Sequence, residues 1–392
     1  MRTLLRDRRT RRQGIAGLVA QLTQAAAGLG VILVVQEAGG SLALAGAGAA
    51  AFVIGAGTAR PIQGRLMDST GPRPVLIASG VIHLAGVVGM VGYTQLDGAT
   101  WIVIPLALPI GLGEPPVSQG MRIAWGRAAS SSERTAAYSL VTLIQEIAVL
   151  LGPLILAAVV ASASAAAGLL VVGSIAAGGA FVLAAMMAAP ERPEGRPARQ
   201  LALRSPGVRI ALAVTVLFAI VLGATEVGIP ALSDERGVPA VSGLLLAAIS
   251  VGGILGAIAY GSPRWSAGPA ATLVSLLALL TLAIGALIGT PPFAAIWLPL
   301  VLAGVAINPV ITAVALLVED HSPSVAAEAF GWQSTALALG TAAGNALGGS
   351  LADAHGASGA FVAAAIAAGA ATLLAAATRS RLATGQPAST GY

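Results

Sequence analysis

Two carboxylates stand where carboxylates are rare. Glu146, beside Gln145, lies near the middle of an apolar run at 136–160, and Glu114 lies in another at 100–121, directly before Pro115 and Pro116. A carboxyl group in a poorly hydrated setting can load and release a proton as its surroundings alternate between wet and dry, which makes Glu146 and Glu114 candidate proton-coupling residues. For Glu146 the competing reading is a hydrogen bond that only joins helices. For Glu114 it is solvation by water admitted at the proline kink. Glu226, in the run at 209–231, reads as an entrance residue, and His83 as a packed side chain. Gln21 and Gln24, three apart on one helix face, and Asn308, before Pro309, are candidates to line a cavity; their amides can hold a ligand or join helices.

Other chemistry finds no support. The three histidines (His83, His321, His355) are far apart, no H-E-x-x-H occurs, and Asp234-Glu235 and Glu319-Asp320 fall in short breaks between apolar runs. There is no cysteine, hence no thiolate metal site or catalytic thiol. There is no lysine either, which excludes the phosphate loop G-x-x-x-x-G-K-[ST] and with it ATP hydrolysis by that motif. No metal, no cofactor and no enzymatic activity are expected, and any energy for active work must come from an ion gradient.

What must position these side chains follows from composition. Of 392 residues 56% are hydrophobic and 9% charged, with a mean hydropathy of +0.88, and so few charges cannot cover a water-soluble domain. The apolar residues arrive in runs of about 20, enough to cross roughly 30 Å of hydrocarbon at about 1.5 Å per residue. The runs lie near 14–36, 42–63, 74–93, 100–121, 136–160 and 165–189, then 209–231, 240–261, 269–289, 293–318, 325–351 and 358–378. A Pro- and Arg-rich stretch at 190–208 divides them six and six. The expected organisation is an all-α membrane protein of 12 transmembrane helices: a basic N-terminus at 1–13, a six-helix bundle at 14–189, a linker at 190–208, a second bundle at 209–378 and a tail at 379–392.

The formal net charge of +5 comes from 21 arginines against 16 acidic residues. Six arginines precede the first run; Arg65 and Arg73, then Arg122, Arg127 and Arg134, then the linker cluster, then Arg264, fill the even-numbered breaks; Arg379 and Arg381 follow the last run. Only Arg236 falls in an odd-numbered break. Basic loops mark the cytoplasmic side, so both termini and the linker are expected there, in an integral protein of the cell (plasma) membrane. The alternation also argues against nucleic acid as a partner. Thr10-Arg11-Arg12 before an apolar stretch can be read as a twin-arginine export signal; the plainer reading is an anchor for the first helix.

The halves carry weak internal similarity. At an offset of 192, Tyr138 falls on Phe330 and Gly152 on Gly344, and at 193 Pro116 falls on Pro309, as expected of duplicated halves. Gly340, Gly344 and Gly348, and Gly252 with Gly256, are spaced for close helix contact.

The most specific motif is Gly64-Arg65-Leu66-Met67-Asp68-Ser69-Thr70-Gly71-Pro72-Arg73. It resembles the signature of the major facilitator superfamily, G-x-L-x-D-x-x-G-x-R, found in the cytoplasmic loop between helices two and three. The resemblance implies two six-helix bundles and makes Gly64, Asp68, Gly71 and Arg73 a conformational latch that holds the outward-facing state against the eleventh helix. Ser69 and Pro72 replace the family's usual basic residues, which puts its charge relay in doubt. Gly152-Pro153, within Ala148-Val149-Leu150-Leu151-Gly152-Pro153, is similar to part of the antiporter signature g-x-x-x-G-P-x-x-G-G, although Ala148, Leu156 and Ala157 replace its glycines. The family's intramembrane Arg of helix four is missing, with Arg122 at that helix's end instead. Helices one, four, seven and ten line the cavity in the family.

The resemblance implies a secondary active transporter similar to drug:proton antiporters: proton-coupled efflux of a small amphiphilic molecule by alternating access, from a monomer in contact with membrane lipid. The alternatives are an importer or uniporter of a sugar or organic acid, and a membrane-embedded sensor or enzyme that transports nothing.

Overall fold

The computed structural model describes residues 7–22, 24–40, 42–96, 99–128, 133–187, 201–238, 241–262, 265, 267–289 and 292–383. Every regular element among them is helical. The helices are α1 (Arg8–Gln21), α2 (Gln24–Glu37), α3 (Leu42–Thr70), α4 (Pro72–Thr94), α5 (Val103–Leu112), α6 (Val117–Ala128), α7 (Arg134–Ser162) and α8 (Ala165–Met186). After residues 188–200 come α9 (Pro206–Glu235), α10 (Ser242–Tyr260), α11 (Pro269–Gly285), α12 (Phe293–Asp320), α13 (Ala326–His355), α14 (Ala357–Ala377) and the short α15 (Arg379–Ala383). Nine segments among the described residues are long and apolar enough to cross a membrane, with α1–α2 and the stretch Thr100–Gly126 each counted as one.

Local chemistry sets the boundaries. Asp7 caps α1, accepting from the amide of Thr10 at 2.8 Å, so the first helix begins before the apolar run at 14. Leu22, just after α1, keeps the helical conformation, and its amide bonds the carbonyl of Leu18. The run at 100–121 is broken at Gly113–Pro116, because a proline lacks the amide that continues a helix and pushes the preceding residue out of the helical region. The latch motif lies mostly on a helix and not in a loop: α3 continues through Thr70, and Gly71, at φ 79°, is the sole residue between it and α4. Pro72 is the first residue of α4 and Pro206 the first of α9, where a missing amide is harmless. The 1–6, 190–200 and 384–392 parts of the terminal and linker assignments lie outside the described residues.

Helices in hydrocarbon associate through close backbone approach. Gly340, Gly344 and Gly348 of α13 lie against the α9 backbone at Val216, Ile220 and Ala224, and Gly252 and Gly256 of α10 against the carbonyls of Val301 and Val305 on α12. Most packing occurs within residues 8–186 or within 206–383; α3 with α13, and α7 with α10 and α12, are the chief pairs that bridge these two groups. The same device occurs once in each group. Glu37, ending α2, accepts from the amide of Ala166 at the start of α8 at 2.9 Å; Glu235, ending α9, accepts from Ala357 at the start of α14 at 2.6 Å.

Candidate functional site

The two groups of helices meet at two levels: a set of ties at the arginine-rich end, and a cavity halfway along α7.

Helix α13 begins without a side-chain cap, since Val325 precedes it. Asp68 of α3 supplies one from the other group. Its Oδ1 accepts from the amide of Ala327 at 3.0 Å and its Oδ2 from that of Glu328 at 2.8 Å, which places a carboxylate where a helix N-terminus favours negative charge. Such proximity requires a glycine one turn back: a Cβ on Gly64 would overlap the carbonyl of Ala327. Further along the same contact, Thr335 donates to the carbonyl of Gly57 at 2.7 Å. Of the four latch candidates, Gly64, Asp68 and Gly71 are thus at the contact or shape it. Arg73 is exposed beside Ile77 and Phe181 and forms no ion pair among the described residues.

A second tie escaped the sequence reading. Arg134, at the start of α7, pairs with Glu319 at 2.5 Å and Asp320 at 3.3 Å at the end of α12, and Tyr138 donates to the Glu319 carboxylate at 2.6 Å. Tyr138 also meets the ring of Phe330 of α13 edge-on, 6.0 Å between centroids. The adjacent acids 319–320 and the matching Arg134 were visible in the chain; their pairing across the two groups was not.

Above these ties lies a cavity of about 200 Å³. Its polar wall comes from Ser118 and Arg122 of α6, Thr142, Gln145 and Glu146 of α7, Asn308 of α12, and Gln333 and Ser334 of α13; Phe218, Ile311, Val314 and Leu337 supply apolar surface. The cavity is bridged from both groups. Glu146 accepts from the Asn308 side-chain amide at 3.3 Å, Thr142 and Thr312 share a hydrogen bond at 3.2 Å, and Gln119 donates to Ser334 at 3.4 Å. Arg122 donates to Gln145 at 3.3 Å and lies over the ring of Phe330, 5.9 Å from its centroid.

Other candidates fall elsewhere. Glu114 pairs with Arg60 of α3 at 2.7 Å inside the first group, with side-chain exposures of 9% and 13%. Around this pair, Gln63 donates to the carbonyls of Leu112 and Glu114 at 3.0 and 3.2 Å, and His83 reaches the carbonyl of Ile110 at 2.8 Å. These bonds satisfy backbone groups freed by the break at Gly113–Pro116. Arg60 was overlooked, although a lone arginine within the apolar run 42–63 was signal enough. Gln21 is buried against Gly17 and Met121 and is not part of the cavity wall. Gln24 begins α2, but its side chain lies outside the described residues. Glu226 is exposed on α9. Gly152 packs on the carbonyl of Leu22, just after α1, and Pro153 sits inside an unbroken α7. Among the described residues no three His, Cys, Asp or Glu side chains gather as a metal-ligand group.

The sequence matches the Major Facilitator Superfamily over residues 14–344, and the chain belongs to that family. No curated protein matches it. The fold is similar to that of a bacterial homologue of the iron transporter ferroportin in an outward-facing state (TM-score 0.76, 15% identity, covering 96% of this chain and 100% of that one). It is similar also to the human organic anion transporter MFSD10 (TETRAN) (0.68, 17%, 93% and 99%) and to the E. coli fucose:proton symporter FucP (0.68, 14%, 93% and 97%). The protein is therefore an integral membrane protein with a major facilitator transporter fold.

Proposed function

We propose that the protein is a secondary active transporter that moves a small amphiphilic molecule by alternating access, with proton movement coupled through Glu146. Counting α1 with α2 and α5 with α6 as single spans gives twelve membrane helices, six in each group, which we read as two six-helix bundles. The arginine-rich end is taken as cytoplasmic, with both termini and the linker on that side of the plasma membrane. The ties made by Asp68 and Arg134 then hold the cytoplasmic end shut, and the conformation is outward-facing. A monomer suffices for this cycle.

The observation that carries the reading is the contact of Glu146 with Asn308. It joins the two bundles inside the central cavity, so the carboxyl group's surroundings must change whenever the bundles rock. Glu114, neutralised by Arg60 within one bundle, has no such dependence, and we assign it to holding the α5–α6 break. Efflux in exchange for protons is the first direction to test, on the likeness of Gly152-Pro153 to the antiporter signature. One observation favours a second reading, proton-coupled uptake of an organic acid: the cavity holds the buried cation Arg122, whose charge matches an anionic substrate.

The experiment is reconstitution into proteoliposomes with a ligand found by thermal-shift screening. Accumulation driven by a pH gradient is expected for the native chain and is lost in Glu146→Gln, while exchange without a gradient persists. Unchanged gradient-driven accumulation in the Glu146→Gln/Glu114→Gln double variant overturns the assignment of the coupling group. Comparing everted with right-side-out vesicles sets the direction.

A further inference from the structure

Arg122 is 5% exposed, lines the central cavity, and makes no ion pair among the described residues. One of its nitrogens donates to Gln145; its Nε is buried without a partner. A buried guanidinium is expensive unless an anion meets it, and its planar fork of donors matches the two oxygens of a carboxylate. Phe330 beneath it is a cation–π contact and supplies no countercharge. Apolar side chains, among them Phe218, Ile311 and Leu337, line the same cavity beside its polar groups.

We infer that the cavity binds a small amphiphilic organic acid, with its carboxylate on Arg122 and its apolar body against Phe218, Ile311 and Leu337. This inference rests on the uptake reading above. Charge also sets the coupling. Arg122 and Glu146 are the charged side chains in the cavity wall; Tyr138, Glu319 and Arg134 below are engaged with one another. With Glu146 ionised the two fixed charges cancel. With Glu146 protonated a lone guanidinium remains, and a monoanion restores neutrality. Anion and proton load together, so the step is co-transport, and an inward proton gradient drives the acid inward.

The test uses the full chain and three probes of one shape: phenylacetate, the uncharged phenylacetamide and the cation phenethylamine. Phenylacetate is expected to raise the apparent melting temperature and the other two to leave it unchanged. Arg122→Gln weakens phenylacetate binding by about tenfold or more, the loss of a charge-assisted pair, and Arg122→Lys retains part of it. Equal responses to acid and amide in the native chain overturn the inference without any variant. So do native-like phenylacetate binding in Arg122→Gln and the absence of binding by phenylacetate, benzoate and octanoate alike. Flux in proteoliposomes, measured against protein-free vesicles, separates the two claims. Acid binding without flux removes the transport reading and keeps the Arg122 assignment; gradient-driven flux of the amide or amine with none of the acid keeps transport and removes the assignment.

Discussion

The carboxylate of Asp68 lies 2.8 Å from the backbone amide of Glu328, 260 residues away along the chain. It caps a helix that has no cap of its own, and that helix belongs to the other half of the molecule. Opening the arginine-rich end must therefore uncap α13, and closing it restores the cap.

Asp68→Asn keeps the shape and removes the charge. The lost interaction with a helix N-terminus is about 1–2 kcal/mol, or roughly tenfold in the ratio of closed to open forms. The chain contains no cysteine, so spin labels on Arg65→Cys and Ser324→Cys report the opening of this end without background. A shift toward longer label separations is expected; an unchanged distribution would show that the cap does not hold the closed form.

Gly64→Ala acts by volume. The added methyl meets the backbone carbonyl of Ala327, which cannot swing aside as a side chain can, so closure should be disfavoured by about 1–3 kcal/mol. The same label pair should report a more open end, and flux should fall. Native flux together with native label distances would refute close approach at this point.

Arg134→Gln and Tyr138→Phe test the second tie. With exposures of 27% and 17% for Arg134 and Glu319, the ion pair is partly screened, and each substitution should weaken closure by about 1 kcal/mol. Both act on Glu319, so the double variant should fall short of the sum. Strict additivity in the label distributions would deny the shared carboxylate.

The Arg60–Glu114 pair is a stability element. Arg60→Gln or Glu114→Gln alone leaves an uncompensated buried charge and should destabilise by on the order of 3 kcal/mol, whereas the double variant should recover much of that. Thermal unfolding in detergent measures it, and two mild single effects that simply add would contradict the pairing.

The positions of the helices were legible because hydrocarbon imposes a length on apolar runs, and the motif that holds Gly64 and Asp68 because its residues are contiguous; the backbone they meet, at the start of α13, was not. The break at Gly113–Pro116 was less legible: its prolines marked a kink, but not the bonds from Gln63 and His83 that hold it. Facing was not legible at all. Whether Glu114 or Glu146 looks into the cavity depends on how each helix is rotated, which is fixed by contacts such as those of Gly152 and Gly344 with distant backbones. Gln21 and Arg122 exchanged their expected roles for the same reason: the glutamine is packed within the first group, and the arginine assigned to a helix end lines the cavity.

The carboxylates of Glu37 and Glu235 each fasten two helices of the same half. Neither fastening crosses from one half to the other, so a tilt of the halves in the proposed cycle would leave both in place. In the proposed cycle the bonds exchanged are then those between the halves, at the rim and around the cavity, and not those inside either half.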